Sequence, residues 1–492
     1  MNDKKSERAD VAKLAPGATY NKELDAYETG GVTEPNKSSK KLTPNLRALR
    51  LAMTVADQLL SMDIAANSVT SQALDITDAY CDGAVHLDII SNLIMASQLR
   101  DTNSEPLTLI RPSTERAVNN MTVQRLQQFV RDVRDGKYTL DQAEAHLEDI
   151  IRHQKRYPRW FISVSSAAIA ASALLFYTTD WRAVVTTFAV ALSVDWLLTF
   201  MAKRGLPPFF RQAGASIFIV LAAAAVAQFG KYGISFFEGI NPTLIAVGGI
   251  FMLVAGLAIV GAVRDAIEEY YITANARVLK VAMQTSGIVV GFLTGLYIAR
   301  VSGIGIAVSP EPLSLTALPY QIIAGGLFAG AFALSTQTRV AAVVWATLVA
   351  GGTVGILTLA SHAGLAAVPA TGVAAVYVGV VSALFSRLWT TPSSAILSAG
   401  ILPLVPGLAL YTGLMQLINY PPESPFFYRG VGTLFNALAT ALTIAAGASF
   451  GAIIAQPVRR TFTQRRNLLP FGQYMVRQLK SARRLTTPVK RK

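Results

Sequence analysis

The chain has 492 residues, of which 52% are apolar and only 15% charged, against about 25% charged in a typical soluble protein. Residues 161–456 carry just 20 of the Asp, Glu, Lys and Arg side chains, and the other 196 residues carry 54. This excludes a water-soluble fold for the middle of the chain and marks it as a bundle of membrane helices.

The net charge of +14 resolves by region into −1 for residues 1–160, +4 for 161–456 and +11 for 457–492. A basic stretch directly after a hydrophobic span suits the anionic inner leaflet. Nucleic-acid binding fits less well, because no recognition fold accompanies it. The single cysteine, Cys81, allows no intrachain disulfide, which fits a cytosolic N-terminal part.

In chain order, residues 1–44 are polar, without apolar periodicity, and read as a disordered tail with no secretory signal. Residues 45–157 read as a small cytoplasmic α/β domain. Leu46 to Ser61 lacks helix breakers and predicts a helix. His86-Leu-Asp-Ile-Ile and Leu107-Thr-Leu-Ile predict strands. Leu126, Phe129, Val130 and Val133 keep helical spacing, with a stop near Gly136. Thr139-Leu-Asp-Gln opens a last helix running through Ile151.

Ten hydrophobic spans follow, near 161–178, 181–202, 212–230, 243–263, 278–299, 320–335, 340–360, 364–388, 393–418 and 431–456. With a cytoplasmic N-terminus, the inner connections carry eight basic residues and the outer ones four. That asymmetry, with the basic tail, puts both termini in the cytoplasm.

The fourth and ninth spans match. Gly249-Ile-Phe-Met-Leu-Val-Ala-Gly-Leu-Ala258 lies over Gly400-Ile-Leu-Pro-Leu-Val-Pro-Gly-Leu-Ala409 with seven of ten positions identical. Gly205-Leu206 pairs with Gly364-Leu365, and Arg182 with Arg339, in the same order. Five spans per half is odd, so the halves enter from opposite faces. The expected fold is a polytopic α-helical membrane protein with two inverted five-helix repeats, 158–310 and 311–456, an architecture characteristic of secondary transporters. Two unrelated Gly/Ala-rich helices are the alternative. Pro403 and Pro406 should break the ninth span, freeing carbonyls that need partners or a cavity. A simple proline kink is the alternative.

Polar groups in this apolar setting are candidate sites. Asp195 lies inside the second span, where a carboxylate is costly unless it is paired, protonated or wet. It is a proton-coupling candidate, or a structural partner of Lys203 or Arg204. Arg264-Asp-Ala-Ile-Glu-Glu-Tyr-Tyr-Ile-Thr-Ala-Asn-Ala-Arg277 gathers charge and hydroxyls at an inner mouth. Thr273 and Asn275 are good N-caps for the fifth span. A helix N-terminus there, with Arg277, can hold a substrate carboxylate. The same stretch also reads as a solvated loop. His86 and Asp88 share a strand face but lack a nucleophile or a metal set. No Walker A, G-x-S-x-G, H-E-x-x-H or paired C-x-x-C pattern occurs, so an ion gradient is the expected energy source. No cofactor or metal is expected.

As an ordered set, several of these motifs resemble the bacterial threonine/serine exporter family. They are Lys203-Arg-Gly-Leu-Pro-Pro-Phe-Phe210, Leu253-Val-Ala-Gly-Leu-Ala258 followed by Arg264-Asp265, Thr273-Ala-Asn-Ala-Arg277, and Leu404-Val-Pro-Gly-Leu-Ala-Leu-Tyr411. His86-Leu-Asp88 and Arg131-Asp-Val-Arg-Asp-Gly136 add to the set, and the resemblance covers about residues 45–456. It implies a cytoplasmic domain joined to ten membrane helices, and export of threonine and serine coupled to protons. The chain departs from the family pattern at Ser61-Met-Asp-Ile-Ala and at Glu269-Tyr-Tyr-Ile.

The resulting expectation is a cytoplasmic-membrane exporter rather than an enzyme. Asp195 and Asp265 serve proton coupling, and Thr273, Asn275 and Arg277 contact substrate. Gly256, Pro403, Pro406, Gly407 and Tyr411 line the midplane path. Partners are small hydroxy amino acids, protons, the bilayer and anionic lipids at the tail, and an oligomer is compatible. A dicarboxylate exporter, a membrane-anchored enzyme using His86 and Asp88, and a passive channel are the rivals.

Overall fold

The computed structural model describes residues 42–99, 105–253, 256–304, 314–388 and 393–461. Almost all of the expected N-terminal tail, and the basic stretch after Thr461, lie outside them. The described residues from Ala48 onward form one compact unit.

The polar N-terminal part folds as helices α1 (Pro44–Ser61) and α2 (Ala66–Tyr80), strands β1 (Val85–Ile90), β2 (Leu93–Gln98) and β3 (Leu107–Pro112), and helices α3 (Asn120–Arg134) and α4 (Leu140–Arg152). The sheet is antiparallel in the order β1-β2-β3. Leu87 pairs with Ala96 and Ile89 with Ile94, and these four side chains bury against Leu59, Ile76, Leu126 and Phe129 of the helices. Here only Ser91 and Asn92 separate β1 from β2, so the pair is a hairpin. Strand β2 and helix α2 were not expected from sequence. Leu93-Ile-Met-Ala-Ser-Gln98 has no β-branched run, and it pairs because alternate side chains, Ile94 and Ala96, reach the core. Helix α3 ends as expected, with Gly136 in the left-handed region. Helix α4 opens with a reciprocal Thr139–Gln142 capping box.

The apolar part contains α5 (Arg159–Leu174), α6 (Trp181–Lys203), α7 (Pro208–Lys231), α8 (Pro242–Leu253), α9 (Gly256–Ile267), α10 (Tyr271–Val301), α11 (Leu318–Ser335), α12 (Val340–His362), α13 (Ala367–Leu388), α14 (Ser393–Ile401), α15 (Gly407–Asn419) and α16 (Pro425–Thr461). Among the described residues, eight helices are long and apolar enough to cross a membrane, with Pro242–Ile267 counted as one. Arg159–Leu174 and Ser394–Leu404 are shorter apolar helices. Large apolar side chains such as Phe200, Leu279, Leu348 and Phe435 point outward, as lipid-facing surfaces do.

Glycines set the closest crossings. A Cβ at Gly291 of α10 would fall on the Ala213 carbonyl of α7, and one at Gly287 would fall 2.5 Å from the Phe209 carbonyl. In α13 and α16, Gly379 and Gly451 bring the two backbones together in the same way. The GxxxG pattern thus acts as a close-packing seam.

The ninth hydrophobic stretch is broken, not merely kinked. Helix α14 passes into a 3₁₀ turn at Leu402–Leu404, Val405 is extended, and Pro406 (φ −78°, ψ 50°) carries an inverse γ-turn before α15. The Gly407 N–H closes that turn on the Val405 carbonyl at 2.8 Å.

Candidate functional site

The charged stretch between α9 and α10 is built by a helix stop and an immediate restart. Tyr270 N–H bonds back to the Asp265 carbonyl and Glu269 N–H to that of Ala266, which closes α9 in a Schellman motif. Glu269 takes the left-handed position usual for glycine, at φ +69°. Helix α10 then begins at Tyr271, with Tyr270 as its cap. Thr273 and Asn275 are therefore inside the helix rather than at its cap, because the chain re-enters helix directly after the Schellman turn.

This geometry aims the charges at one another. Asp265 is fully buried, and Arg277 Nε stands 3.2 Å from its Oδ2. The contact is an ion pair short of hydrogen-bond alignment. Arg277 Nη2 lies 3.2 Å from Asp63 Oδ1, in the turn between α1 and α2. The same guanidinium rests on Gly261, where a Cβ would sit 3.1 Å from Nη1. Arg264 Nε pairs with Glu268 at 2.9 Å. Burial pushes the neighbouring Tyr270 phenol up from its ordinary value.

Thr273 is buried and faces the soluble part. Its hydroxyl donates to the Ile89 carbonyl at 3.2 Å and accepts the Ser91 N–H at 3.0 Å. It thereby holds the β1–β2 hairpin turn on the first turn of α10. Asn275 is exposed. A second attachment joins the start of α3 to the α11–α12 connection. Asn120 donates through Nδ2 to the Thr336 and Thr338 hydroxyls at 3.1 and 2.9 Å. Met121 N–H bonds to the Gln337 carbonyl, and the Tyr157 hydroxyl to that of Thr338.

Left-handed backbone concentrates at these attachments. The non-glycine residues with positive φ among the described residues are Asp63, Ser91, Glu269 and Gln337. Each lies in a turn that joins the soluble part to α10 or to the α11–α12 connection. Such conformations cost of order 1 kcal/mol each and persist where the surroundings fix them. Sequence reasoning missed Asp63, Ser91, Asn120 and Gln337. The departures from the family pattern at Ser61-Met-Asp-Ile-Ala and Glu269-Tyr-Tyr-Ile fall on the turns of this contact.

The remaining expected residues lie elsewhere. Asp195, half-buried in α6, accepts the Ser163 hydroxyl of α5 at 2.6 Å. Neither Lys203 nor Arg204 pairs with it; Arg204 instead stacks over Phe200. Gly407, at the break in the ninth stretch, packs on Phe251 of α8. Val405, Pro406 and Leu410 share a cavity of about 70 Å³ with Ile259 of α9 and with α16. Pro403 is half-buried. Gly256 begins α9, and the Tyr411 side chain lies outside the described residues. His86 is exposed on the outer sheet face, and Asp88 accepts its neighbour's Ile89 N–H at 2.8 Å. Among the described residues, no His, Cys, Asp or Glu group has metal-binding geometry.

The family described as "Putative threonine/serine exporter" matches residues 50–299, just over half of the chain. The chain belongs to this family. A second description, "Threonine/Serine exporter, ThrE", matches residues 321–454. A probable threonine/serine exporter of Mycobacterium tuberculosis is 28% identical over 422 residues, covering 84% of this chain and 77% of the relative. A threonine/serine exporter of Corynebacterium glutamicum is 26% identical over 422 residues, covering 84% and 83%. No solved structure matches the chain. Family membership and the apolar helices make this a multi-pass membrane protein of a transporter family.

Proposed function

We propose that the chain exports threonine and serine across the cytoplasmic membrane by proton antiport, with Arg277 as the partner of the substrate carboxylate. The observation that carries this reading is the cluster at the end of α9. An amino-acid zwitterion needs a cation for its carboxylate and an anion for its ammonium group. Arg277, Asp265 and Glu268 offer both at one place. A dicarboxylate is disfavoured there, because the second cation of the cluster, Arg264, is already paired with Glu268 at 2.9 Å. The exposed strand face of His86 and Asp88 offers no comparable enclosure for an enzyme site.

In this reading ten crossings form two inverted halves. The helix contacts support it. Within the first half, the third and fifth hydrophobic stretches, α7 and α10, share a glycine seam. Their counterparts in the second half, the eighth and tenth, α13 and α16, share another. The matched fourth and ninth stretches also meet each other, through Phe251 and Gly407. Residues 45–157 form a cytoplasmic domain at the inner face, both termini are cytoplasmic, and the basic tail meets anionic lipid.

Asp195 and Asp265 carry the coupling proton, Asn275 and Arg277 form the inner mouth, and Thr273 docks the β1–β2 hairpin beside it. Gly256, Pro403, Pro406, Gly407 and Tyr411 line the path. Purified protein in liposomes under an imposed pH gradient tests the coupling. Threonine accumulation that serine suppresses, and that Asp195→Asn abolishes while inserting normally, is the expected result. Gradient-driven uptake by Asp195→Asn equal to that of the parent would remove Asp195 from the coupling path.

A further inference from the structure

We propose that Asp63 is a tethered competitor of the substrate: its carboxylate occupies the face of Arg277 that a substrate carboxylate needs, and leaves when substrate binds from the inner side. The inference rests on the reading of Arg277 given above and names what occupies that site in the resting chain.

Arg277 is held on two sides that differ sharply in exposure. The Asp265 carboxylate, on the Nε side, is fully buried, whereas the Asp63 side chain, on Nη2, is 67% exposed. Arg277 itself is 17% exposed. A guanidinium offers five N–H donors in a planar fork, and a free carboxylate can take two of them at once. Asp63 makes one contact, at 3.2 Å. The buried partner fixes the guanidinium over Gly261, and the exposed partner is the exchangeable one.

The turn that presents Asp63 is specific to this task. Asp63 N–H and Ile64 N–H bond back to the Leu60 and Leu59 carbonyls, so α1 ends in a Schellman motif with Asp63 at φ +64°. At the corresponding positions closing α6 and α12, glycines Gly205 and Gly364 hold the left-handed conformation. The α1 turn instead keeps a carboxylate there, aimed at the membrane helix. A carboxylate on the soluble part thus does locally what the substrate's own carboxylate does on arrival. Displacing it also removes one of the ties between the soluble part and α10.

Exposed ion pairs contribute up to about 1 kcal/mol, which corresponds to about a fivefold change in an equilibrium constant. Removing Asp63 therefore lowers the threonine concentration for half-maximal transport by about two- to fivefold. Asp63→Asn is the direct test, because Asn keeps the tolerance for positive φ and loses the charge; Asp63→Gly is the second variant. Both should show the lowered half-saturation in liposomes. Both should also speed modification of Arg277 by phenylglyoxal, read by mass spectrometry, with threonine protecting at lower concentration than in the parent.

Glu115→Gln is the control, since the Glu115–Lys280 pair also ties the soluble part to α10 without touching Arg277. It should change neither readout. Unchanged half-saturation and unchanged Arg277 modification in both Asp63 variants would overturn the proposal, as would an equal shift in Glu115→Gln. If the parent protein moved no threonine, the exporter reading itself would fall, an outcome distinct from either of these.

Discussion

Thr273→Val separates a docking role for this hydroxyl from direct contact with substrate. Valine keeps the shape of threonine and removes both of its hydrogen bonds to the β1–β2 hairpin, at 3.2 and 3.0 Å. The site is buried, so water replaces them poorly. Each bond contributes about 0.5–1.5 kcal/mol net, and the pair therefore holds the turn by about 1–3 kcal/mol. Amide exchange at Ser91 reports that opening directly, because the Ser91 N–H is the donor to Thr273. Exchange there should accelerate by about five- to a hundredfold, and Thr273→Ser should restore protection. Transport should lose rate through looser docking, with little change in half-saturation. Unchanged exchange at Ser91, combined with a raised half-saturation for threonine, would refute this reasoning and return Thr273 to the substrate.

Three further outcomes follow from the same geometry. Arg277→Gln strands the buried Asp265 carboxylate, a loss of about 3–5 kcal/mol for a broken buried pair. Adding Asp265→Asn should recover most of the thermal stability in detergent without recovering transport; joint recovery would make the pair purely structural. Gly291→Ala sets a methyl group against the α7 backbone and should lower the thermal midpoint, by overpacking of about 1–3 kcal/mol. Gly355→Ala, with open space around it, should not. Burial, with Asp82 and Asp78 adding to it, pushes the Cys81 thiol up to about 11. The folded chain therefore binds this proton more tightly than the unfolded one, so the associated stability is intact at neutral pH and is lost as pH climbs through about 11. Alkylation of the native protein should still be rising between about pH 9 and 11, whereas a free thiol has largely ionised by about pH 9.5. A native midpoint near pH 8.5 would contradict the burial.

The membrane helices were legible because their signal is compositional, and a lipid-facing helix must be apolar along its length. Most of their limits fall within a few residues of those read from sequence. The fifth and tenth are the exceptions: α10 begins at Tyr271, seven residues before the expected start at 278, and α16 begins at Pro425, six before 431. Hydropathy marks where a helix enters the apolar layer and not where its hydrogen bonding begins. The break at Val405–Pro406 was legible from two prolines, since proline removes a donor wherever it stands. Strand β2 was not, because only Ile94 is β-branched in it and its pairing rests on β1 and β3 on either side.

The cluster around Arg277 was half legible. Asp265 and Arg277 are twelve positions apart in one conspicuous charged stretch. Asp63 is more than two hundred positions away, and only the fold brings it to the same guanidinium. Both departures from the family pattern, at Ser61-Met-Asp-Ile-Ala and Glu269-Tyr-Tyr-Ile, fall on turns of this contact.

In the proposed function Arg277, set between Asp265 and Asp63, receives the carboxylate of an exported amino acid. Counterflow tests it most directly, since no gradient is needed. Liposomes holding the purified chain and loaded with unlabelled threonine are placed in a trace of labelled threonine. Transient accumulation of label is expected, suppressed by serine, untouched by succinate, and absent in the Arg277→Gln, Asp265→Asn double variant although that variant inserts and remains folded. Counterflow at the parental rate in the double variant would contradict it.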